Sequence, residues 1–375
     1  MPGNAQNLIS HFQSLLTLRK RAAKVGAIGM TLSSESIQLL QMEDKGDGPV
    51  IRSAISIRYP CPRSELLADQ AIFRKFVKIA LRAGKFVGNR VVTCLIPQDV
   101  RHIPIQYRQQ EKNPSSYEPF FKELQSHIQA PLANFVIDVL HIRTPGSDAA
   151  ERSAIAVVAS KERTIAHLEL LRLAGLDVLA LDTGPAALAR VISDAHYNQQ
   201  GDSSSALILN FGKDFTYLTA LWGRRLILNR ELAFGENILL RKICQRLKCD
   251  MPTAAKLLFN TTLKTGSSEE IAATIREILH HELIDLTREI GQSLSYVASL
   301  TRGDTAKIIY LMGGVSSYPG IKEVIESQIQ IPVAIYDPAI QFPHWPGIFP
   351  LPEGFHHLLA TATGLALRGL YPDGN

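Results

Sequence analysis

The stretch LILNFGKDFTYLTALWGRRLILNREL, residues 207–232, reads as three strands joined by two short bends. With the preceding alanine, Ala206–Phe211 is an apolar run broken only by Asn210. Gly212–Asp214 is a polar bend and Phe215–Trp222 a second strand. Gly223-Arg224-Arg225 is a turn and Leu226–Arg230 a third strand. Apolar runs bounded by such bends are the mark of antiparallel hairpins. The opening of the chain has the same pattern. Val25–Gly29 is apolar, Thr31–Ser36 is a polar bend, and Ile37–Met42 is a second strand. VIRSAISIRY (50–59) alternates like a third, and Pro60 and Pro62 stop it. One arrangement used twice signals internal duplication. It predicts two related lobes with a cleft between them, and pockets often form at such junctions.

Each half continues in α/β style. Residues 65–83 have helical spacing and Val91–Ile96 reads as a buried strand. Residues 98–152 differ in texture. A short strand (HIPIQY, 102–107) leads into a polar stretch with Asn113-Pro114. A helix (FFKELQSHI, 120–128) and the strand Phe135–Ile142 follow. This predicts a small α+β insertion in the first lobe. The main pattern resumes with a strand at Ala154–Ser160, a helix at Lys161–Ala174, a strand at Asp177–Leu181 and a helix from Pro185. NQQGDSSS (198–205) has linker composition. Beyond the second hairpin, 237–301 is largely helical, and its last helix carries Leu283, Leu286, Ile290, Leu294 and Val297 on one face. Ile308–Met312 is a strand, followed by Gly313-Gly314, the helix Ile321–Gln328 and the short strand Val333–Ile335. His357–Leu370 is a helix rich in small residues. The predicted division is 1–24 an amphipathic basic segment; 25–97 with 153–200 the first lobe; 98–152 its insertion; 204–236 with 306–375 the second lobe; and 237–305 a helical subdomain of that lobe.

Composition narrows the functional classes. The 375 residues are 46% hydrophobic and 20% charged, an ordinary globular balance with room for more than one domain. A net charge of +5 is small for this length and gives no sign of nucleic-acid binding. Cys61, Cys94, Cys244 and Cys249 form no CxxC pair, so free thiols are expected and a zinc site is not. No apolar run is long enough to span a membrane, and the first residues do not read as an export signal. A cytoplasmic location is therefore expected. Leu8, Ile9, Phe12, Leu15 and Leu16 fall on one helical stripe, with Arg19, Lys20, Arg21 and Lys24 behind them. Residues 8–24 thus offer a peripheral contact with an anionic membrane. The alternative is a first helix docked on the protein's own core.

Four stretches carry a family resemblance. GMTLSSESIQLLQM (29–42) is similar to the first phosphate hairpin of the actin-like superfamily, and 207–232 to the second. IIYLMGGVSSYPGIKEVIESQIQIPVAIYDP (308–338) is similar to its adenosine-side Gly-Gly loop, helix start and closing strand. HLELLRLAGLDVLALDTGPAALAR (167–190) is similar to the connection returning from the insertion. From about 25 to 370 the chain resembles the type IV pilus assembly protein PilM family, with the MSHA pilus protein MshI and the cell-division protein FtsA as relatives. The resemblance implies a two-lobed actin-like ATPase fold of duplicated ribonuclease-H-like domains. It implies a cytoplasmic scaffold of a pilus inner-membrane platform, held there by partners. It also implies that a groove between the first lobe and the insertion takes the cytoplasmic N-terminal peptide of a PilN-like membrane protein. Ile103, Ile105, Tyr107, Phe120, Phe121, Leu124 and Phe135 are the implied lining, unless they form the insertion's own core. An extended peptide suits such a groove because it can add to a strand edge and fill pockets with alternate side chains.

The resemblance places ATP with Mg²⁺ near Thr31, Ser33, Ser34, Ser36, Asn210, Gly212, Lys213, Gly313, Gly314 and Val315. Small residues there let backbone N–H groups approach phosphate. The family pattern adds one carboxylate per hairpin, for the metal's water shell and the attacking water. This chain has Thr31 and Asn210 at those places, Ser33 where a Gly is usual, and Gly184 where an acid often precedes a helix. Neutral side chains are poor substitutes, so no catalytic residue and no metal ligand is assigned. The remaining glycines and serines suit backbone contact with a nucleotide, and equally suit tight turns with none. Two readings compete with the scaffold. One is an active ATPase or phosphotransferase, against which Thr31 and Asn210 count. The other is an FtsA-like tethered filament, against which the polar ending LALRGLYPDGN counts. Asp182 is expected to be a satisfied strand-end acid, and Arg224-Arg225 an exposed turn.

Overall fold

The computed structural model describes residues 24–108, 116–142, 151–200, 204–262, 269–344, 347–348 and 356–372. Of the expected N-terminal basic segment only Lys24 is among them. The first lobe opens with β1 (Lys24–Val25), β2 (Ile28–Leu32), β3 (Ser36–Asp44) and β4 (Pro49–Arg58). Ile28 to Leu32 are all buried, as a strand covered on both faces should be. The expected single helix 65–83 is two, α1 (Arg63–Ala68) and α2 (Gln70–Ala83). Asp69 divides them, because its carboxylate accepts from the N–H groups of Ala71 and Ile72 at 2.9 Å and caps α2. β5 (Arg90–Cys94) completes this part.

The insertion follows as β6 (Val100–Arg108), α3 (Glu118–Ser126), β7 (Phe135–Ile142) and β8 (Glu151–Ser160). The sheet order is β6-β8-β7, both pairings antiparallel. This corrects the boundary at 152. Residues 153–160, expected to resume the first lobe, form most of the central strand of the inserted sheet. Ala154, Ala156 and Val158 lie in the insertion's own core. The chain then rejoins the first lobe through α4 (Lys161–Leu173), β9 (Asp177–Asp182) and α5 (Gly184–Gln200). Much of the expected linker 198–205 is regular, since α5 runs to Gln200 and the next strand starts at Ser205.

The second lobe repeats the first. Its strands are β10 (Ser205–Phe211), β11 (Thr216–Trp222) and β12 (Arg225–Leu232). Three helices follow: α6 (Glu236–Leu247), α7 (Met251–Thr262) and α8 (Glu269–Leu300). Then come β13 (Ala306–Gly313), α9 (Ile321–Ile329) and β14 (Val333–Ile335). The central β2 pairs antiparallel with β3 and parallel with β5, while β4 and β9 extend the two sides. Around β10 the partners are β11 antiparallel and β13 parallel, extended by β12 and β14. The two sheets therefore have one topology, which is the duplication expected from the two hairpins.

The end of the chain is a second correction. Residues 306–375 were expected to belong wholly to the second lobe. After α10 (Pro338–Gln341), His344 bridges to Ile51 of β4, and α11 (Ala360–Leu370) packs on β2, β3, β5 and α5 of the first lobe. The small residues of α11 have their reason here. A Cβ on Gly364 would lie 2.0 Å from the carbonyl oxygen of Ala187 in α5. Arg190 of α5 fastens the same helix contact, its Nη1 donating to the Gly364 carbonyl of α11 at 2.9 Å. One apolar cluster runs from Leu40, Met42 and Ile51 through Leu188 and Ile192 into Leu207, Ile309 and Leu367. The lobes thus share a core.

Gly364→Ala is expected to cost about 1–3 kcal/mol by overpacking against rigid backbone. Urea unfolding checks this: the midpoint falls with an unchanged slope, whereas an unchanged midpoint would show that α5 and α11 can separate freely.

Candidate functional site

The first hairpin bend is closed on itself. Ser33 donates to the Ser36 carbonyl through its N–H and its hydroxyl, each at 2.9 Å, and the two hydroxyls are 3.0 Å apart. Tyr59 donates to the Ser33 carbonyl at 3.0 Å. Ser34 is exposed at the tip. Thr31 is buried, and its hydroxyl donates to Gln38 Oε1 at 2.6 Å. It is therefore turned to its own sheet. Asn210 is half-buried in β10, between Tyr217 and Met312.

The second bend is tied to the start of α6. Gly212 donates to the Phe215 carbonyl at 2.9 Å, and the N–H groups of Glu236 and Asn237 donate to the carbonyls of Gly212 and Lys213. The first N–H groups of that helix, which could have met an anion, are thus partly taken. The third loop passes close by. Gly313 has φ +83°, and a Cβ there would lie 2.1 Å from the Phe211 carbonyl oxygen. Only glycine fits, and the reason is packing of β13 on β10. Val315 is buried, and Ser316 donates to the Gly313 carbonyl.

Lys213 joins these parts. Its Nζ lies 2.5 Å from Glu236 Oε2 and 3.2 Å from Glu35 Oε1. Glu35 sits in the first bend, so one ammonium group bridges the two lobes. Tyr318, after the Gly-Gly loop, donates to the other Glu236 oxygen at 2.5 Å. Burial works against the charge on Lys213, but the two glutamates outweigh it and hold its pKa above the ordinary lysine value. Burial and then the Glu236 charge push the Tyr318 phenol far up, so it stays a donor. Glu35, Glu236 and Tyr318 were not singled out by the sequence. They lie about 200 and 80 residues apart along the chain, and only the Gly235-Glu236 pair ahead of a helix gave a local sign.

The fold's implied cofactor can be tested on this geometry. Mg²⁺-assisted hydrolysis needs free carboxylates. Thr31 and Asn210 are neutral, and Glu35 and Glu236 are paired with Lys213. Among the described residues no group of three acids, histidines or cysteines could hold a metal. The residues present do not fit a magnesium-dependent hydrolytic centre. Asp182, at the end of β9, is satisfied by Arg190 at 3.1 Å and Arg368 at 2.9 Å, as expected.

The other expected site needs a larger correction. Ile103, Ile105, Tyr107, Phe120 and Leu124 are buried in the core of the insertion, and Phe135 packs against that core. The alternation of β6 puts the first three on its inward face. They do not line a groove. Phe121 is the exception, at 39% exposure, beside Tyr117 at 46%. Tyr117 stacks near His141 with ring centres 5.9 Å apart, and its hydroxyl is 3.2 Å from His141 Nε2. His141 with Val139 and Leu140 lines a cavity of about 450 Å³. Its other walls are Ala186, Ala189 and Arg190 of α5, Leu367 and Tyr371 at the end of the chain, and the Arg224–Leu226 turn. The insertion, first lobe and second lobe meet there.

The family model of the type IV pilus assembly protein PilM matches residues 29–370. The chain belongs to that family. No curated protein matches the sequence. Among solved structures, a PilM–PilN type IV pilus biogenesis complex matches with a TM-score of 0.74 and 21% identity, over 92% of this chain and 99% of that one. The ethanolamine utilization protein EutJ from Carboxydothermus hydrogenoformans matches with a TM-score of 0.53 and 14% identity, over 96% and 99%. Both likenesses support the actin-like fold, and this PilM-family chain has its two lobes.

Removing the bridge should loosen the lobes. Lys213→Met is expected to lower stability by about 1–2 kcal/mol, the range for a partly exposed charged hydrogen bond. Differential scanning calorimetry checks it, and an unchanged Tm would mean the bridge holds nothing. A pH effect should also appear at the root of the insertion. Burial lowers the pKa of His102 and of His167 to about 4, and for His167 the Arg63 charge adds to this. Each Nε2 is shut from water with no hydrogen-bond partner. Both imidazoles are neutral in the fold. As pH falls below about 6.5, the unfolded chain takes up protons that the folded chain refuses until about 4. Stability should drop across that window, and His102→Gln should flatten the drop in acid-unfolding curves.

Proposed function

We propose that this PilM-family protein is a cytoplasmic scaffold of a type IV pilus inner-membrane platform. On this reading it binds the cytoplasmic N-terminal peptide of a PilN-like membrane protein and catalyses no reaction of its own. The observation that carries the reading is the cavity between β7 and α5, with Tyr117 and Phe121 exposed near its mouth. Exposed aromatic side chains beside a pocket with both apolar and cationic walls suit the anchoring of an extended peptide. The likeness to a solved PilM bound to PilN supports the choice of partner. On this proposal the peptide meets β7, α5 and Tyr117, and of the seven residues expected from the sequence only Phe121 is kept.

ATP has a modulatory place in this proposal. Lys213 and the backbone of the Gly313-Gly314 loop would hold its phosphates, and Lys213 would then be drawn from Glu35. A change in the lobe-to-lobe bridge would be felt at the cavity, because its walls come from both lobes.

Calorimetric titration with the N-terminal peptide of the PilN-like protein tests the proposal. Saturable binding is expected. Phe121→Ala should weaken it about tenfold, as loss of an aromatic anchor does. Ala186→Arg, which fills the cavity, should abolish it. Undiminished binding to both variants would place the peptide elsewhere, and no binding to the parent protein would remove the partner.

A further inference from the structure

Helix α2 turns Phe73, Phe76, Val77 and Ala80 into the first-lobe core. Its opposite face carries Arg74, Lys75, Lys78 and Arg82, all exposed. Their spacing puts the four cations on one stripe about 12 Å long. None of them has an ion pair or hydrogen bond among the described residues. The nearest acids in the sequence and on the adjacent helix are occupied. Asp69 caps α2, and Glu169 of α4 pairs with Arg172 at 2.5 Å. An open groove along the stripe reaches Leu173 of α4.

Charge alone would describe a solvated face. This one also holds apolar side chains out in water. Ile72 is 46% exposed and Ile79 is 52% exposed, two turns apart along one edge of the stripe. Val87, just past the helix, is 48% exposed. Cations flanked by exposed aliphatic groups suit a helix lying at a membrane interface. A nucleic acid would use the cations, but it offers the isoleucines nothing, and the stripe has no aromatic ring for base stacking.

The entry of the chain lies at the same place. The Gln41 side chain donates to the carbonyls of Gly26 and Val87 at 2.9 Å each and accepts from the Val87 N–H. The chain therefore joins the fold beside the C-terminal end of α2.

We propose that this face of α2 is a lipid-contact surface that seats the first lobe on an anionic bilayer. The cations meet headgroup phosphates, and Ile72 and Ile79 reach the acyl boundary. This goes beyond the peptide-scaffold reading and stands without it, since vesicle binding needs no protein partner.

Sedimentation of the full chain with vesicles tests it. Binding is expected to phosphatidylcholine vesicles doped with phosphatidylglycerol, to weaken with salt, and to be absent on phosphatidylcholine alone. Replacing Arg74, Lys75, Lys78 and Arg82 together by Gln should weaken binding by roughly 600-fold, at about fivefold per cation. Those side chains are exposed, so the variant should keep the parent Tm, which is the folding control. Ile79→Gln should also weaken binding while leaving the charge intact. Four results would each overturn the proposal. They are no vesicle binding by the parent, equal binding to uncharged vesicles, binding lost with Arg19, Lys20 and Arg21 but untouched by the four-residue variant, and charge-dependent binding to duplex DNA in place of vesicles.

Discussion

The carbonyl oxygen of Ala187 sits where a side chain on Gly364 would have to be, and much else follows from that approach. It lets α11 lie down between α5 and the first sheet. The chain has by then built the second lobe, so its last helix returns to close the first. Backbone-to-backbone contact of this kind needs small residues, which is why the end of the chain is rich in alanine, threonine and glycine. The shared core that results runs through both lobes. The bridged cleft and the cavity by α5 both lie at the junction of the lobes.

Two bends and a Gly-Gly loop converge at the cleft between the lobes. The charges that meet there come from the protein itself, with one ammonium between two glutamates and a phenol on the second of them. An internal ion pair of this sort costs desolvation and returns orientation. It fixes how the lobes face one another with no ligand needed. Retention of the fold without its carboxylates fits a protein selected for its surfaces, because function lives in sites placed on a fold and not in the fold itself.

Local pattern made a good part of this legible. The hairpins of 25–59 and 206–230 were readable because apolar runs and polar bends are short-range signals, and their repetition gave two lobes. The alternation of Ile103, Ile105 and Tyr107 was also in view, and it pointed to one inward face of a strand. The functional assignment of those residues to a groove went against their own periodicity. What the sequence hid was long-range. Residues 151–160 look like any α/β strand, and nothing local says that they pair with β6 and β7. Helix α11 follows the second lobe in order, and only packing returns it to the first. The trio Glu35, Lys213 and Glu236 is assembled by the duplication itself, across a separation that no window covers.

The most direct measurement is phosphate release from Mg²⁺–ATP by the purified protein, with and without saturating partner peptide. The account predicts no release above the buffer in either case, whatever nucleotide is bound, because Thr31 and Asn210 are neutral and Glu236 is held by Lys213 and Tyr318. Steady turnover that disappears in Glu236→Gln would contradict it, since Glu236 would then be serving the reaction and not the bridge.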